Sequence, residues 1–364
     1  MQIKSNIRDY DVHFADTPDF LRGFERFAQR TFVVDENVWR IYGDNLLRDI
    51  APADEVIVLP IGEELKNLDS VRFLYDRLTG RAAKRNMTMI SIGGGITQDI
   101  TGFAASTLYR GINWVFVPTT LLAQADSCIG SKTSLNYENF KNLIGTFYPP
   151  SEVFIHTGFL ATQTQADYFS GLGEVVKLHL LGGAARATEI TELLPAIMRR
   201  DAAALLTGVQ NSLEIKHAFI SEDEFDTGRR NLLNYGHCFG HALESTSNFE
   251  VPHGQAIVAG MLLANIVARR RGVLPAALET TIAKELLLPS LVVKPRAEHL
   301  HPDATVEAMR KDKKRTGSDL ALIMLENDYE FSKVNDLVTA EVAGALDEFS
   351  YMLHDNESKL GARV

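Results

Sequence analysis

The residues best equipped for chemistry gather in residues 230–254, RNLLNYGHCFGHALESTSNFEVPHG, which hold three of the ten histidines. His237 and His241 are four apart in a segment whose Leu, Phe and Ala spacing predicts a helix, so both imidazoles share one face. His253 follows beside Pro252, at the mouth of the apolar run QAIVAGMLLANIVA. Neutral imidazole is the commonest nitrogen ligand for zinc, so a histidine pair plus a distant histidine is a candidate metal cluster. No HExxH or CxxC pattern accompanies them, and helix-end or core histidines satisfied by hydrogen bonds are the alternative. Glu174 stands among apolar neighbours in GLGEVVKLHL, spaced three from Lys177. That spacing suits either an ordinary ion pair or a ligand carboxylate with a base beside it. Lys216, Arg229 and Arg230 flank the histidine stretch and gather positive charge near it.

A second group of residues suits a nucleotide cofactor. Gly93, Gly94 and Gly95 end a predicted strand and open a helix. Glycine there lets backbone approach a ligand, and a helix N-terminus favours anions such as a dinucleotide pyrophosphate. The match is not GxGxxG, so a tight strand-to-helix turn is the alternative. Asp35 and Asn37 follow an earlier strand, where an acid can hydrogen-bond a ribose, and Thr119 and Thr120 end another. Residues 126–145 read as a loop carrying Asp126, Lys132, Asn136, Lys141 and Asn142. Lysines among Gly, Ser and Asn make an anion cradle. A solvated loop is the competing reading, as it is for Arg110.

The elements that must position these groups are short apolar strands alternating with helices. DYDVHFA, TFVVD, EVIVLP, TMISIGGG, NWVFVPTT and SEVFIH read as strands, which implies a parallel α/β sheet. From about residue 165 to 310 the patterns are almost all helical, and LALIMLE with YEFSKV reads as a late hairpin before a last helix. The change of periodicity divides the chain into an α/β domain, 1–160, and a mainly α-helical domain, 161–364.

The totals bound the rest. The chain has 364 residues, 45% hydrophobic and 23% charged, as in an ordinary globular protein. No apolar run is long enough for a transmembrane helix, and MQIKSNIRDYDVHF lacks the apolar region of a signal peptide. Two cysteines, Cys128 and Cys238, supply no disulfide framework, so a cytoplasmic protein is expected. A net charge of −10 argues against nucleic-acid partners but leaves small anions open.

Nine blocks together resemble the 3-dehydroquinate synthases, within the broader sugar phosphate cyclase family. They are GEELK, GGGITQDITGFAASTLYRG, VPTTLLAQADS, KTSLN, KNLIG, GLGEVVK, GRRNLLNYGHCFGHALE, PHG and DKK. The resemblance spans roughly Asp35 to Lys314. It implies an NAD-binding α/β domain, a mainly helical metal- and substrate-binding domain and a site in the cleft between them. It implies Glu174, His237 and His253 as ligands of zinc or cobalt. It assigns NAD to Asp35, Asn37, Glu63, Lys66, Gly93, Gly94, Gly95, Asp99, Thr119, Thr120, Leu122 and Lys141. It gives the substrate phosphate to Lys132, Asn142, Asn234, His241 and Lys313, joined by Arg110 from a partner subunit of a homodimer. Lys216 and Arg230 are left for a carboxylate, and Asp126 and Lys177 stand close to the reacting centre. Lys132, Asn234 and His241 join those two as catalytic residues. The implied activity is that of a phosphorus–oxygen lyase of the shikimate pathway, closing a carbocycle from a sugar phosphate with recycled NAD. The chain departs from the pattern at Gln98 and Ser131, where glycine is usual, at Cys128 for serine and at Gln255 for the Glu of HGE. ATQTQADYF also replaces a Thr-Leu-Pro turn. These departures keep open another sugar phosphate cyclase, or a metal-dependent polyol dehydrogenase of related fold.

Overall fold

Runs such as TFVV and MISI bury both faces of a strand, and only a sheet covered by helices on each side satisfies them. The computed structural model describes residues 1–81, 84–138, 140–311 and 320–361. It divides into two units, Met1–Gln163 with His217–Asp226, and Thr164–Lys216 with Thr227–Val364.

The first unit is built on strands β1 (Gln2–Ile3), β2 (Tyr10–Phe14), β3 (Arg30–Asp35), β4 (Val56–Leu59), β5 (Thr88–Gly93), β6 (Asn113–Pro118), β7 (Lys132–Tyr137), β8 (Phe140–Phe147) and β9 (Glu152–Ile155). Helices α1 (Glu36–Tyr42), α2 (Leu68–Gly80) and α3 (Gly95–Thr107) connect them. Seven strands form one sheet in the order β1-β2-β9-β6-β5-β3-β4, parallel except for β1 against β2. Phe32 and Val34, Ile90 and Ile92, and Val115 and Val117 point to one face, where Phe24, Phe154 and Phe159 complete a buried core. On the other face α3 lies close enough that Ser91 Oγ donates to Thr101 Oγ1 at 3.3 Å. The chain leaves β3 for β4 on one side and returns to β5 on the other. Such a reversal opens a crevice at the carboxyl ends of β3 and β5, where Asp35 and Gly93 stand.

Residues 126–145 correct the loop reading. A helical turn at Ala123–Ser127 leads into the antiparallel hairpin β7–β8, with Thr133 opposite Thr146 and Leu135 opposite Ile144. The hairpin escapes a hydrophobic-period reading because Leu135 is its one buried apolar side chain among the described residues, beside Thr133, while Ile144 is only half-buried. Gly145 sits so close to Thr133 O that a Cβ there would overlap it.

The second unit carries α4 (Gln165–Leu181), α5 (Ala184–Met198), α6 (Ala202–Glu222, whose residues from His217 on belong to the first unit), α7 (His237–Thr246), α8 (His253–Arg270), α9 (Ala276–Ile282), α10 (Leu288–Ser290), α11 (Pro302–Lys311) and α12 (Thr339–Gly361). The hairpin β10 (Leu320–Leu325) and β11 (Phe331–Leu337) precedes α12. Every residue of α8 from Gly254 to Ala268 is buried, as is every residue of α4 from Tyr168 to Leu181. Such all-round burial identifies helices at the centre of a bundle. They meet backbone to backbone. A Cβ on Gly254 would overlap Ser170 O, one on Gly173 would overlap Gly254 O, and one on Gly260 would overlap Gly236 O. Gln255, one of the departures, is fully buried and fully used. Its Nε2 donates to Phe169 O and Ser290 O at 2.8 and 3.1 Å. Its Oε1 accepts from Val292 N and Val293 N at 2.7 and 2.9 Å. A carboxylate could not make the first two bonds. Among the described residues no helix is long and apolar enough to cross a membrane.

Candidate active site

Three helices of the second unit deliver the metal-type donors. Glu174 lies in the buried middle of α4, and His237 and His253 are the first residues of α7 and α8. His253 Nε2 is 3.3 Å from Glu174 Oε1, and His237 Nε2 is 3.9 Å from the same oxygen. One ligand atom from each of the three lies within 4.8 Å of the others. The second ring nitrogens are committed elsewhere. His237 Nδ1 donates to Tyr235 O at 3.2 Å, and His253 Nδ1 lies 3.1 Å from Glu244 Oε2. Both Nε2 atoms thus converge on one carboxylate, which is the donor set of a zinc-type site with positions left open.

Charge is organised around the same point. Burial alone would raise the Glu174 carboxyl, but Lys177 and the two imidazoles outweigh it and hold it well below the usual carboxylate range. Lys177 is ion-paired to Glu174 one helical turn away, with both side chains almost wholly buried. Burial, then the Lys177 charge, keep His237 well below the ordinary histidine value and therefore neutral. Burial also opposes charge on His253, yet its bonds to Glu174 and Glu244 push it up to about 9. A carboxylate, a neutral imidazole and an imidazole whose proton a divalent ion can displace are the donors such an ion needs, and these residues fit one.

His241 packs against both of these histidines, its ring centroid 5.3 Å from that of His237 and 5.9 Å from that of His253. Asn234 ends the turn Arg229–Asn234, with its Nδ2 donating to Asn231 O at 2.9 Å. A hollow in this unit is lined by Asn231, Asn234, His237, Cys238, His241 and Lys333, closed by apolar residues of α11 and β10. Lys216 and Arg230, though cationic, are buried in the same unit at 6% and 4% exposure. Lys313 lies outside the described residues.

In the first unit the cofactor-type residues form their own group. Asp35 caps α1, its carboxylate accepting from Asn37 N at 2.7 Å and Val38 N at 3.3 Å, and burial raises its pKa. Asn37 is exposed and accepts from Arg40. Gly93 and Gly94 are hemmed in by Thr97 and Thr120, whereas a Cβ on Gly95 would meet nothing nearer than Ser127 Oγ at 3.8 Å. Packing within the chain does not require glycine at 95, whereas backbone approach by a phosphate does, so the loop fits a dinucleotide. Thr119 N donates to Gly93 O at 2.9 Å, Thr120 Oγ1 accepts from Ala123 N, and Leu122 is half-buried in the following turn. Lys66 is buried with its ammonium shared among Asp99 Oδ2 at 2.5 Å, Asn142 Oδ1 at 2.6 Å and Ser134 Oγ at 3.2 Å. Asn136 bridges Glu63 Oε1 at 2.8 Å to Asn142 N at 2.8 Å. Asn142, assigned to the phosphate by resemblance, thus sits in one network with Glu63, Lys66 and Asp99. Lys132 is ion-paired to Asp226 at 2.5 Å, Lys141 is half-buried on β8, and Asp126 is half-buried in the turn before the hairpin. Arg110 is exposed on a turn after α3 where Tyr109, Arg110 and Gly111 all adopt positive φ.

The departures have local accounts. Gln98 and Ser127 close a two-bond clasp, Gln98 Nε2 to Ser127 O at 2.7 Å and Ser127 Oγ to Gln98 Oε1 at 2.6 Å. Ser131 takes φ +64°, the left-handed conformation that explains why glycine is usual there. Cys128 is buried with Sγ 3.4 Å from Gln124 O. Sequence reasoning missed Ser134, Asp226, Glu244 and Lys333. For Glu244 a signal existed: it lies seven residues after His237, two turns along the same helix face.

Comparison with known proteins agrees with this arrangement. The 3-dehydroquinate synthase N-terminal family matches residues 56–170 and the 3-dehydroquinate synthase C-terminal family matches residues 171–315. A 3-dehydroquinate synthase of Nitrosospira multiformis is 34% identical over 88% of this chain and 89% of its own. Among solved structures, a 2-epi-5-epi-valiolone synthase from Streptomyces hygroscopicus subsp. jinggangensis 5008, with NAD+ and Zn2+ bound, superposes with a TM-score of 0.82. It is 26% identical, over 94% of this chain and 97% of that one. A 2-deoxy-scyllo-inosose synthase complexed with carbaglucose-6-phosphate, NAD+ and Co2+ gives a TM-score of 0.80 at 25% identity, over 96% and 99% of the two chains. With both family halves matched end to end across the glycine loop and the Glu174–His237–His253 cluster, the chain belongs to the 3-dehydroquinate synthase family, with the fold of the sugar phosphate cyclases.

Proposed function

We propose that the chain is a 3-dehydroquinate synthase, a phosphorus–oxygen lyase converting 3-deoxy-arabino-heptulosonate 7-phosphate to 3-dehydroquinate and phosphate. Glu174, His237 and His253 would hold a zinc or cobalt ion. NAD would lie along Asp35, Asn37, Glu63, Lys66, Gly93, Gly94, Gly95, Asp99, Thr119, Thr120, Leu122 and Lys141. When bound, the ion supplies Lewis acidity toward the substrate hydroxyls and NAD supplies reversible oxidation of one alcohol carbon.

The chain's own residues then do three things. Lys132, Asn142, Asn234, His241 and Lys313 gather the phosphate, while Lys216 and Arg230 pair with the carboxylate. Fixing both anionic ends selects one conformer of a flexible substrate and removes most of the entropy cost of ring closure. Asp126 and Lys177 are the residues that the family resemblance assigns to the reacting centre, and Lys177 is ion-paired to Glu174. In this reading the protein is a cytoplasmic homodimer, and Arg110 reaches the phosphate of the neighbouring subunit.

The observation that carries the reading is the convergence of Glu174, His237 and His253 in a unit that also buries Lys216 and Arg230. A second reading, a cyclase acting on another sugar phosphate, draws support from the likeness to the valiolone and inosose synthases. The deciding experiment incubates the enzyme, NAD and Zn2+ or Co2+ separately with the heptulosonate phosphate, sedoheptulose 7-phosphate and glucose 6-phosphate. Phosphate release and carbocycle formation are followed by NMR. Preferred turnover of the heptulosonate phosphate without lasting NADH absorbance is expected. Equal or better turnover of a carboxylate-free sugar establishes the second reading, and stoichiometric NADH points to a polyol dehydrogenase.

A further inference from the structure

His253 is held from two sides. Its Nε2 faces Glu174 at 3.3 Å, and its Nδ1 lies 3.1 Å from Glu244 Oε2. Glu244 sits on the inner face of α7, its side chain 9% exposed. An ionised carboxylate only accepts hydrogen bonds, so Nδ1 carries the proton of this pair, and Nε2 is the nitrogen whose lone pair a metal ion would take in the ligand cluster. His237 is treated differently, because its Nδ1 donates to the neutral carbonyl of Tyr235. A carboxylate partner both orients an imidazole and raises its basicity more than a carbonyl does.

The geometry points to Glu244 as the positioning residue of the metal centre, fixing the tautomer of His253 and making it the stronger of the two imidazole ligands. The inference rests on the metal site proposed above. Glu244 also belongs to a second group with His241 and His253 whose ligand atoms lie within 4.8 Å of one another. Direct ligation of a second ion by Glu244 is therefore the outcome that the test must separate.

The test is zinc binding to metal-free protein, measured by competition with a chromophoric chelator for wild type, Glu244→Ala and Glu244→Gln. We expect one ion per chain in all three, an affinity lowered about 10- to 100-fold in Glu244→Ala, and a smaller loss in Glu244→Gln, which keeps the acceptor but not the charge. Wild-type affinity in folded Glu244→Ala overturns the inference while leaving the metal site standing. Two ions in wild type with one lost in Glu244→Ala also overturns it, by making Glu244 a ligand. A wild type that binds no ion overturns both this inference and the reading beneath it. Should Glu244→Ala fail to fold, nitrogen NMR of zinc-loaded wild type decides. A proton on His253 Nδ1 supports the assignment, and a proton on Nε2 overturns it.

Discussion

Replacing Lys177 with methionine removes the ammonium that lies against Glu174 inside α4. Both side chains of this pair are almost fully buried, at 3% and 2% exposure. Removing one partner of such a pair costs about 3–5 kcal/mol, because the other charge stays buried without compensation. Here His253, 3.3 Å from the same carboxylate, supplies part of the missing charge, which favours the lower end, about 3 kcal/mol. For a domain of 150–250 residues each kcal/mol moves the melting temperature by about 2–4 °C, so metal-free Lys177→Met should melt about 6–12 °C below wild type. The zinc-loaded proteins should differ far less. The ion becomes the counter-charge of Glu174, and the ammonium no longer competes for that carboxylate. At a concentration of about 100 times Kd, ligand binding adds about 2.7 kcal/mol, so tighter binding by the variant shows directly as a larger zinc-induced rise. The assay is calorimetry of both proteins in chelator and in saturating zinc. Equal destabilisation in the two conditions, or none in chelator, refutes the argument.

Other perturbations test other parts. Arg230→Ala should lower kcat/KM for the heptulosonate phosphate by about tenfold to a hundredfold, the loss of one charge-assisted hydrogen bond of about 1.5–3 kcal/mol, and an unimpaired variant contradicts the carboxylate assignment. Ser131→Gly should raise stability by about 1 kcal/mol, because the residue holds φ +64°, and a lowered melting temperature counts against strain there. Burial holds His179 down at about 4 against 6.5 in the unfolded chain, with Nδ1 bonded to Val175 O at 2.7 Å. The unfolded chain therefore takes up the proton first. Stability is complete above pH 6.5 and falls by about 3 kcal/mol as the pH drops toward 4. His179→Gln should flatten that acid limb in urea unfolding at pH values across this window, and parallel limbs would exclude His179 as its cause.

How legible all this was depended on whether burial imprinted a period. Strands such as β3 and β5 show as unbroken apolar runs because helices cover both their faces. The hairpin β7–β8 left no such mark, since its contacts are hydroxyls, one leucine and a glycine against backbone. His237 and His253 could be paired by their position at either end of one stretch, but Glu174 sits far away in sequence, and only the blocks of the family joined it to them. Gln98, Gln255 and Ser131 stood out as departures, whereas their bonding and backbone angles are properties of the folded chain alone. The spacing of Glu244 from His237 puts both on one helix face, but only the fold brings His253 of another helix to Glu244.

Each residue of the candidate cluster is the chain neighbour of a glycine: Gly173 precedes Glu174, Gly236 precedes His237, and Gly254 follows His253. At those glycines main chain lies against main chain, with the Met261 side chain also close to Gly236. The spacing of these three donors is therefore set by main chain, which substitutions elsewhere in the bundle cannot widen by degrees. Substitution of the polar groups around the three residues would therefore leave the spacing of Glu174, His237 and His253 as it is.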